Sequence, residues 1–128
     1  MKRNLALVAI VFAFLGCQQD KTVKLGAVLP LTGDWAIYGQ PVRKGVELAF
    51  EHLQARTDYP YPLQLEVVDS QSDPQRAKAL LQEQFEGGAL AVIGGVTTDE
   101  ALAMVQVADE YDQVLMSPSA STPPAASG

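Results

Sequence analysis

The stretch Val23-Lys24-Leu25-Gly26-Ala27-Val28-Leu29-Pro30, followed by Leu31-Thr32-Gly33-Asp34-Trp35-Ala36-Ile37-Tyr38-Gly39-Gln40-Pro41, decides the fold. Its first seven residues are apolar with β-branched members, the pattern of a buried strand, and Pro30 stops it. Residues 31–40 hold Gly33, Asp34 and Gly39 and read as a loop. Pro41 suits the first position of a helix, where its missing N–H costs nothing. Behind it Val42, Val46, Ala49, Phe50 and Leu53 recur at helical spacing on one face, with Glu47, Glu51 and Arg56 off it. Strand, loop and helix in that order open a β-α-β unit.

The rest of the chain repeats the unit. Thr57 to Pro62 is a turn with two prolines, and Leu63 to Val68 is a second strand. Asp73 is a natural helix N-cap with Pro74 behind it. Ala77, Leu80, Leu81 and Phe85 make the inner stripe, and Gly87-Gly88 supplies a left-handed terminus. Leu90 to Ile93 is a third short apolar strand. After a tight Gly94-Gly95-Val96-Thr97-Thr98 loop, Asp99 and Glu100 open a helix whose inner face is Ala101, Met104, Val105 and Ala108. Val114 to Met116 is a fourth strand, and Ser117 to Gly128 is rich in Ser, Pro and Ala. Short apolar strands joined by helical crossovers imply an α/β fold, a doubly wound parallel sheet with helices on both faces. Ligands of such sheets bind beyond the carboxyl ends of the strands. The loops at that edge are 31–40, 69–73, 95–98 and 117–124.

Upstream of the first strand the sequence changes character. Lys2 and Arg3 precede an uncharged apolar run from Leu5 to Leu15. The run is too short for a bilayer span, which needs about 20 residues. It is the pattern of a secretory leader. Phe14-Leu15-Gly16-Cys17 resembles a bacterial lipobox, although Phe14 stands where Leu or Val is usual. The expected division is a signal peptide at 1–16, a lipidated tether at 17–22 and the α/β region at 23–128. Acylated Cys17 would anchor the chain to a membrane, each buried CH₂ contributing about 0.8 kcal/mol. Gln18, where an Asp is absent, weakly favours the outer membrane of a Gram-negative cell. The alternative for Cys17 is a buried or free thiol behind an ordinary leader.

Composition excludes several functions. The 128 residues are 48% hydrophobic and 19% charged, which is too apolar for a disordered chain. A net charge of −6 argues against nucleic acid, whose backbone is met by clustered Lys and Arg. One Cys allows neither an internal disulfide nor a multi-Cys zinc site. His52, the sole His, is predicted on a solvated helix face, so no base stands ready for Ser117, Ser119 or Ser121 as nucleophiles. Asp69 and Asp73 lack a third carboxylate at calcium-loop spacing, and capping accounts for Asp73. No GxGxxG or P-loop pattern occurs. The expectation is a binding protein without cofactor or metal, not an enzyme.

The residues with chemistry to offer lie at the predicted sheet edge. Thr97-Thr98 follows a Gly pair at a helix N-terminus, where free N–H groups and the dipole suit a carboxylate, and Thr98 either adds a donor or merely caps. Ser117, Ser119, Ser121 and Thr122 follow the fourth strand, a solvated loop unless it joins the Thr pair. Tyr38 could wall an apolar pocket or stand as a surface ring; Trp35 could pack or meet a partner lobe.

These residues fall in an order that is similar to a known family. Val23 to Gly33 with Tyr38-Gly39-Gln40 resembles the opening of the leucine/isoleucine/valine-binding type of periplasmic substrate-binding protein, and Gly45-Val46-Glu47-Leu48-Ala49 its first helix. Asp69-Ser70-Gln71-Ser72-Asp73-Pro74 resembles the D-D-x-S-D-P segment, Val92 to Thr98 the V-I-G-P-V-T-S loop, and Ser117 to Ser121 the S-P-S-A-T loop. The resemblance spans 23–124. It implies a type I periplasmic binding fold, in which two α/β lobes close over an amino acid or similar zwitterion that an ABC importer permease then collects. It carries the carboxylate-binding hydroxyl onto Thr98. It carries the loop reading ammonium and carboxylate onto Ser119, Ala120 and Ser121, and the aromatic lining of the side-chain pocket onto Tyr38. Gly95 replaces a common Pro.

Family members run about three times longer, so the resemblance also implies that residues 23–128 are a partial first lobe, a fragment of the two-lobe protein. A different reading of the same lobe is a lipoprotein that contacts protein, as a sensor or a cell-wall synthase activator. Presence of Tyr38, Thr98 and Ser121 together favours ligand capture.

Overall fold

The computed structural model describes residues 22–121 apart from Thr57. Seven elements follow in strict alternation: β1 (Val23–Leu29), α1 (Ala36–Gln54), β2 (Leu63–Asp69), α2 (Pro74–Glu86), β3 (Ala89–Gly94), α3 (Thr98–Tyr111) and β4 (Val114–Met116). All strand pairs are parallel, in the order β2-β1-β3-β4. Val23 to Leu29 run in register with Leu63 to Asp69, while the β1–β3 pairing shifts by one residue between Lys24 and Leu25.

The order fixes the layers. The chain moves outward from β1 to β2, then back past β1 to β3 and on to β4. Because such crossovers are right-handed, reversing direction changes the face on which the helix lies. Helix α1 therefore covers one face, and α2 and α3 pack side by side on the other. Alternation along β1 matches this. Val28 joins Ala77, Leu81, Phe85, Val92, Met104 and Val107 in the larger core; Ala27 and Leu29 join Val96 in the smaller one, against Val42 and Val46. Burial on both faces explains the near-continuous apolar character of residues 25–29.

Local signals account for most element ends. Asp73 caps α2, its carboxylate accepting from the N–H of Gln75 (2.7 Å) and Arg76 (3.1 Å). Gly88, at φ +89°, is the left-handed residue that ends that helix.

Helix α1 begins earlier than the sequence suggests. Residues 36–40 are helical and Pro41 lies inside the helix, not at its first position. The reason is Gly39. A Cβ there would lie 2.0 Å from the Pro30 carbonyl oxygen, so this glycine permits close approach of helix to chain and does not mark a turn. The N–H of Tyr38 (3.0 Å) and of Gly39 (3.1 Å) both donate to the Trp35 carbonyl and start the helix. The predicted inner stripe is also only partly inward: Val42, Val46 and Phe50 are half-buried, whereas Ala49 and Leu53 are exposed. In α3, Val107 takes the buried place expected for Val105, and Glu100 is buried as well. The remaining boundaries move by a residue or less. His52 is exposed, as its polar face predicts.

Leu81, with no exposed surface, holds α2 to the sheet. Leu81→Ala is expected to lower unfolding stability by about 2–5 kcal/mol. Urea titration followed by circular dichroism measures it; a loss below about 0.5 kcal/mol, the range of ordinary surface changes, would mean the α2 face is not the principal core.

Candidate functional site

The reversal of chain direction between β1 and β3 splays their following loops apart. That is the topological switch point, where ligands of open α/β sheets bind. A groove of about 400 Å³ lies there, lined by Trp35 and Tyr38 behind β1, Val96 to Asp99 behind β3, and Ser119 behind β4.

One wall is aromatic. Trp35 precedes α1 and Tyr38 sits in its first turn; the rings are tilted by 37° with centroids 6.0 Å apart. They are 46% and 58% exposed, so their faces are available to a ligand. Tyr38 therefore projects from a helix and not, as the sequence suggests, from a loop.

The opposite wall is the N-terminus of α3. Thr97 is the cap: its Oγ1 accepts from the N–H of Glu100 at 3.3 Å, and its carbonyl accepts from the N–H of Ala101. Thr98 is thus the first helical residue, not the cap. The N–H groups that a helix start leaves without an intrahelical partner belong here to Thr98 and Asp99. With the dipole they suit a carboxylate or phosphate. Among the described residues the groove lining holds one carboxylate, Asp99, and no basic side chain, so the donors it offers an anionic group are N–H and O–H groups.

The loop after β4 is laced to the loop after β3. Ser117 Oγ donates to the Gly95 carbonyl (2.7 Å) and accepts from the Ala120 N–H (3.0 Å), while Ser119 Oγ donates to the Val96 carbonyl (2.5 Å). Ser119 lines the groove with its hydroxyl proton already committed. Ala120 lines a different depression, beside Ala101 and Leu115, and Ser121 is exposed without lining the groove. Of the five binding residues read from the sequence, the fold brings Tyr38, Thr98 and Ser119 together. Cys17 and Thr122 lie outside the described residues. Among those described, no three His, Cys, Asp or Glu side chains converge as a metal cluster.

Sequence reasoning gave no site role to Trp35, Val96 and Asp99, which line the groove, or to Asp69 at the end of β2. Trp35 had no pocket assigned to it. Asp69 accepts four hydrogen bonds: from the N–H of Leu31 (2.8 Å), Thr32 (3.1 Å) and Gln71 (2.8 Å), and from the Thr32 hydroxyl (2.7 Å). Its partners on the first loop lie 37 and 38 residues away in sequence, so no local signal marked it. Partial burial acts to raise its carboxyl, but the Thr32 hydroxyl and the three amides outweigh that and hold it below the usual carboxylate range.

This geometry is that of an α/β lobe: a doubly wound sheet with a helix N-terminus and an aromatic wall facing a groove at its switch point. Comparison with known proteins agrees. A periplasmic binding protein family model matches residues 22–128, and the chain belongs to that family. It is 26% identical over 102 residues to a Leu/Ile/Val-binding protein of Rhizobium johnstonii, covering 79% of this chain and 28% of the relative. It is 28% identical over 126 residues to a leucine-, isoleucine-, valine-, threonine- and alanine-binding protein of Pseudomonas aeruginosa, covering 96% of this chain and 33% of the relative. Among solved structures it resembles the branched-chain amino acid transporter substrate-binding protein of Streptococcus pneumoniae in complex with isoleucine. There the TM-score is 0.76 and the identity 27%, over 80% of this chain and 30% of that one. The chain thus spans about a third or less of the relatives' length.

A carboxyl whose folded pKa is depressed contributes stability above its unfolded pKa of about 4; that contribution is lost as pH falls through the lower folded value. The thermal midpoint is therefore expected to drop in acid below about pH 4, and Asp69→Asn to lower the midpoint at neutral pH while flattening that acid limb. Melting curves across pH check this; an acid limb of unchanged steepness in the variant would remove Asp69 from the account.

Proposed function

We propose that residues 23–128 form one lobe of an extracytoplasmic solute-binding protein that captures a branched-chain amino acid or similar zwitterion for an ABC importer. The observation that carries the reading is the meeting of Tyr38, Thr98 and Ser119 on one groove at the switch point, in a chain that resembles a binding protein solved with isoleucine. Thr98 Oγ1 and the first N–H groups of α3 take the carboxylate, each bond to a charged group contributing about 1.5–3 kcal/mol. Trp35, Tyr38 and Val96 receive the side chain. Asp99 and the backbone carbonyl of Ser119, both at the groove, face the ammonium, and Ala120 and Ser121 act only by continuing that loop. Nothing in this chemistry makes or breaks a bond. The hydroxyls of Ser117 and Ser119 are given to carbonyls of the neighbouring loop, which supports a binding role.

The leader at 1–16 directs export, and acylated Cys17 with its tether at 17–22 holds the lobe at a membrane. The ammonium and side chain are completed from a second lobe, and closure of two lobes shields the ligand from water. An importer permease receives the loaded form.

The groove is open and its aromatic wall largely exposed, so affinity on this lobe alone is weak. Calorimetry on the chain is expected to give no saturable heat with micromolar leucine. Amide resonances of Tyr38, Thr98 and Asp99 are expected to move at millimolar leucine, the range of a binding free energy near −4 kcal/mol, and Thr98→Ala to suppress the shifts. Shifts scattered away from the groove, or equal shifts with glucose, would refute the assignment; micromolar affinity would refute the need for a second lobe.

A further inference from the structure

We propose that the segment Asp69–Ser72, which lines no part of the groove, positions both of its walls; the inference rests on that groove being the ligand site. Two independent links leave this short segment in opposite directions.

The first reaches the aromatic wall. Asp69 binds the amides of Leu31 and Thr32 and the Thr32 hydroxyl, so the chain leaving β1 is held at three points. Three residues on, Ser72 Oγ accepts from the Trp35 N–H (3.0 Å) and donates to the Thr32 carbonyl (2.8 Å). The two loops press together at Gly33, which sits at φ +82°. A Cβ there would lie 2.7 Å from both the Gln71 carbonyl oxygen and Ser72 Oγ. Gln71 and Ser72 themselves adopt positive φ, 56° and 61°, so the segment is a fixed turn and not a slack connection. Trp35 starts α1 with no capping side chain of its own. Its backbone place, and with it the rings of Trp35 and Tyr38, follows Asp69 and Ser72.

The second link reaches the donor wall. Ser70 is fully buried; its N–H donates to the Leu29 carbonyl (2.9 Å) and its hydroxyl to Glu100 Oε1 (2.6 Å). Glu100 lies in the first turn of α3, two residues beyond Thr98, and is 1% exposed. A carboxylate in that turn ordinarily turns back to its own helix start or out to water. Here it reaches inward across the sheet edge. The Ser70–Glu100 bond thereby sets how far the α3 terminus stands from the loops after β1 and β2. Asp69, Ser70, Ser72 and Glu100 are positioning residues: they act on the ligand only through the walls they hold.

Amide NMR of the full 128-residue chain tests this, with fluorescence from Trp35, its sole tryptophan. Asp69→Asn should move the indole resonance of Trp35 and the amides of Trp35 and Tyr38 and shift the emission to the red, while Thr98 and Asp99 stay. Ser70→Ala should move Thr98 and Asp99 and leave Trp35. Asp73→Asn, which weakens only the α2 cap, should lower the melting point and move neither wall. Should Asp69→Asn fail to fold, Ser72→Ala reads the same wall. If Asp69→Asn or Ser72→Ala lowers the melting point but leaves the Trp35 signals in place, or if Ser70→Ala leaves Thr98 in place, the segment is structural only and the proposal falls. None of these signals needs a ligand. A failure here leaves the groove's assignment standing, and a failure of leucine to perturb the groove leaves this coupling standing.

Discussion

Everything at the site depends on β1 being hydrogen-bonded along both edges, to β2 on one side and to β3 on the other. A strand so placed can be apolar on both faces, and Ala27, Val28 and Leu29 are buried nearly completely. It is also the strand at which the chain reverses direction across the sheet. Helices must then lie on opposite faces, and the loops leaving β1 and β3 diverge toward them. The groove is the space that this divergence leaves. Its position is a consequence of strand order and would survive any change in the residues lining it.

What fills that space is decided by loops that lean on each other. The loop after β4 gives two serine hydroxyls to carbonyls of the loop after β3, and the loop after β2 holds its neighbours through Asp69, Ser70 and Ser72. Irregular backbone at a sheet end has N–H and C=O groups with no ladder to join. Side-chain hydroxyls and one carboxylate substitute for that ladder. The apolar interior sets which way each element faces, and this polar lacing sets where its end stops.

The alternation of strand and helix, the parallel sheet and the cap at Asp73 were legible because each rests on a local pattern: a short β-branched run, a period near 3.6, an Asp-Pro pair. The start of α1 was not legible because Gly39 serves a distant contact. Read along the chain, a glycine beside Gln40-Pro41 marks a turn; in space it makes room for the Pro30 carbonyl. Val107 was missed for a related reason. The inner face of α3 is set by its packing beside α2 as well as on the sheet, which widens the buried arc beyond the stripe expected of a helix on one surface. At the site, the motifs placed Tyr38, Thr98 and Ser119 on loops of one edge, but the part played by Asp69 needed the pairing of two loops about forty residues apart, and no local signal encodes that.

Hydroxyl groups in a sequence are easily counted as ligand donors, and the hydrogen bonds here show why the count misleads. A hydroxyl has one proton to give. Ser117, Ser119, Ser70 and Ser72 each give theirs to a carbonyl or carboxylate of a neighbouring segment, and Thr32 gives its own to Asp69. Thr97 accepts from its own helix. The serine-rich loop after β4 is therefore chiefly a fastening, and its contribution to a ligand comes through backbone groups and lone pairs. Among the described groove residues, the Thr98 hydroxyl makes no hydrogen bond within the fold and the Thr97 hydroxyl only accepts one, so their protons are not spent there. One residue of phase at that terminus separates the side chain that caps the helix from the one that does not.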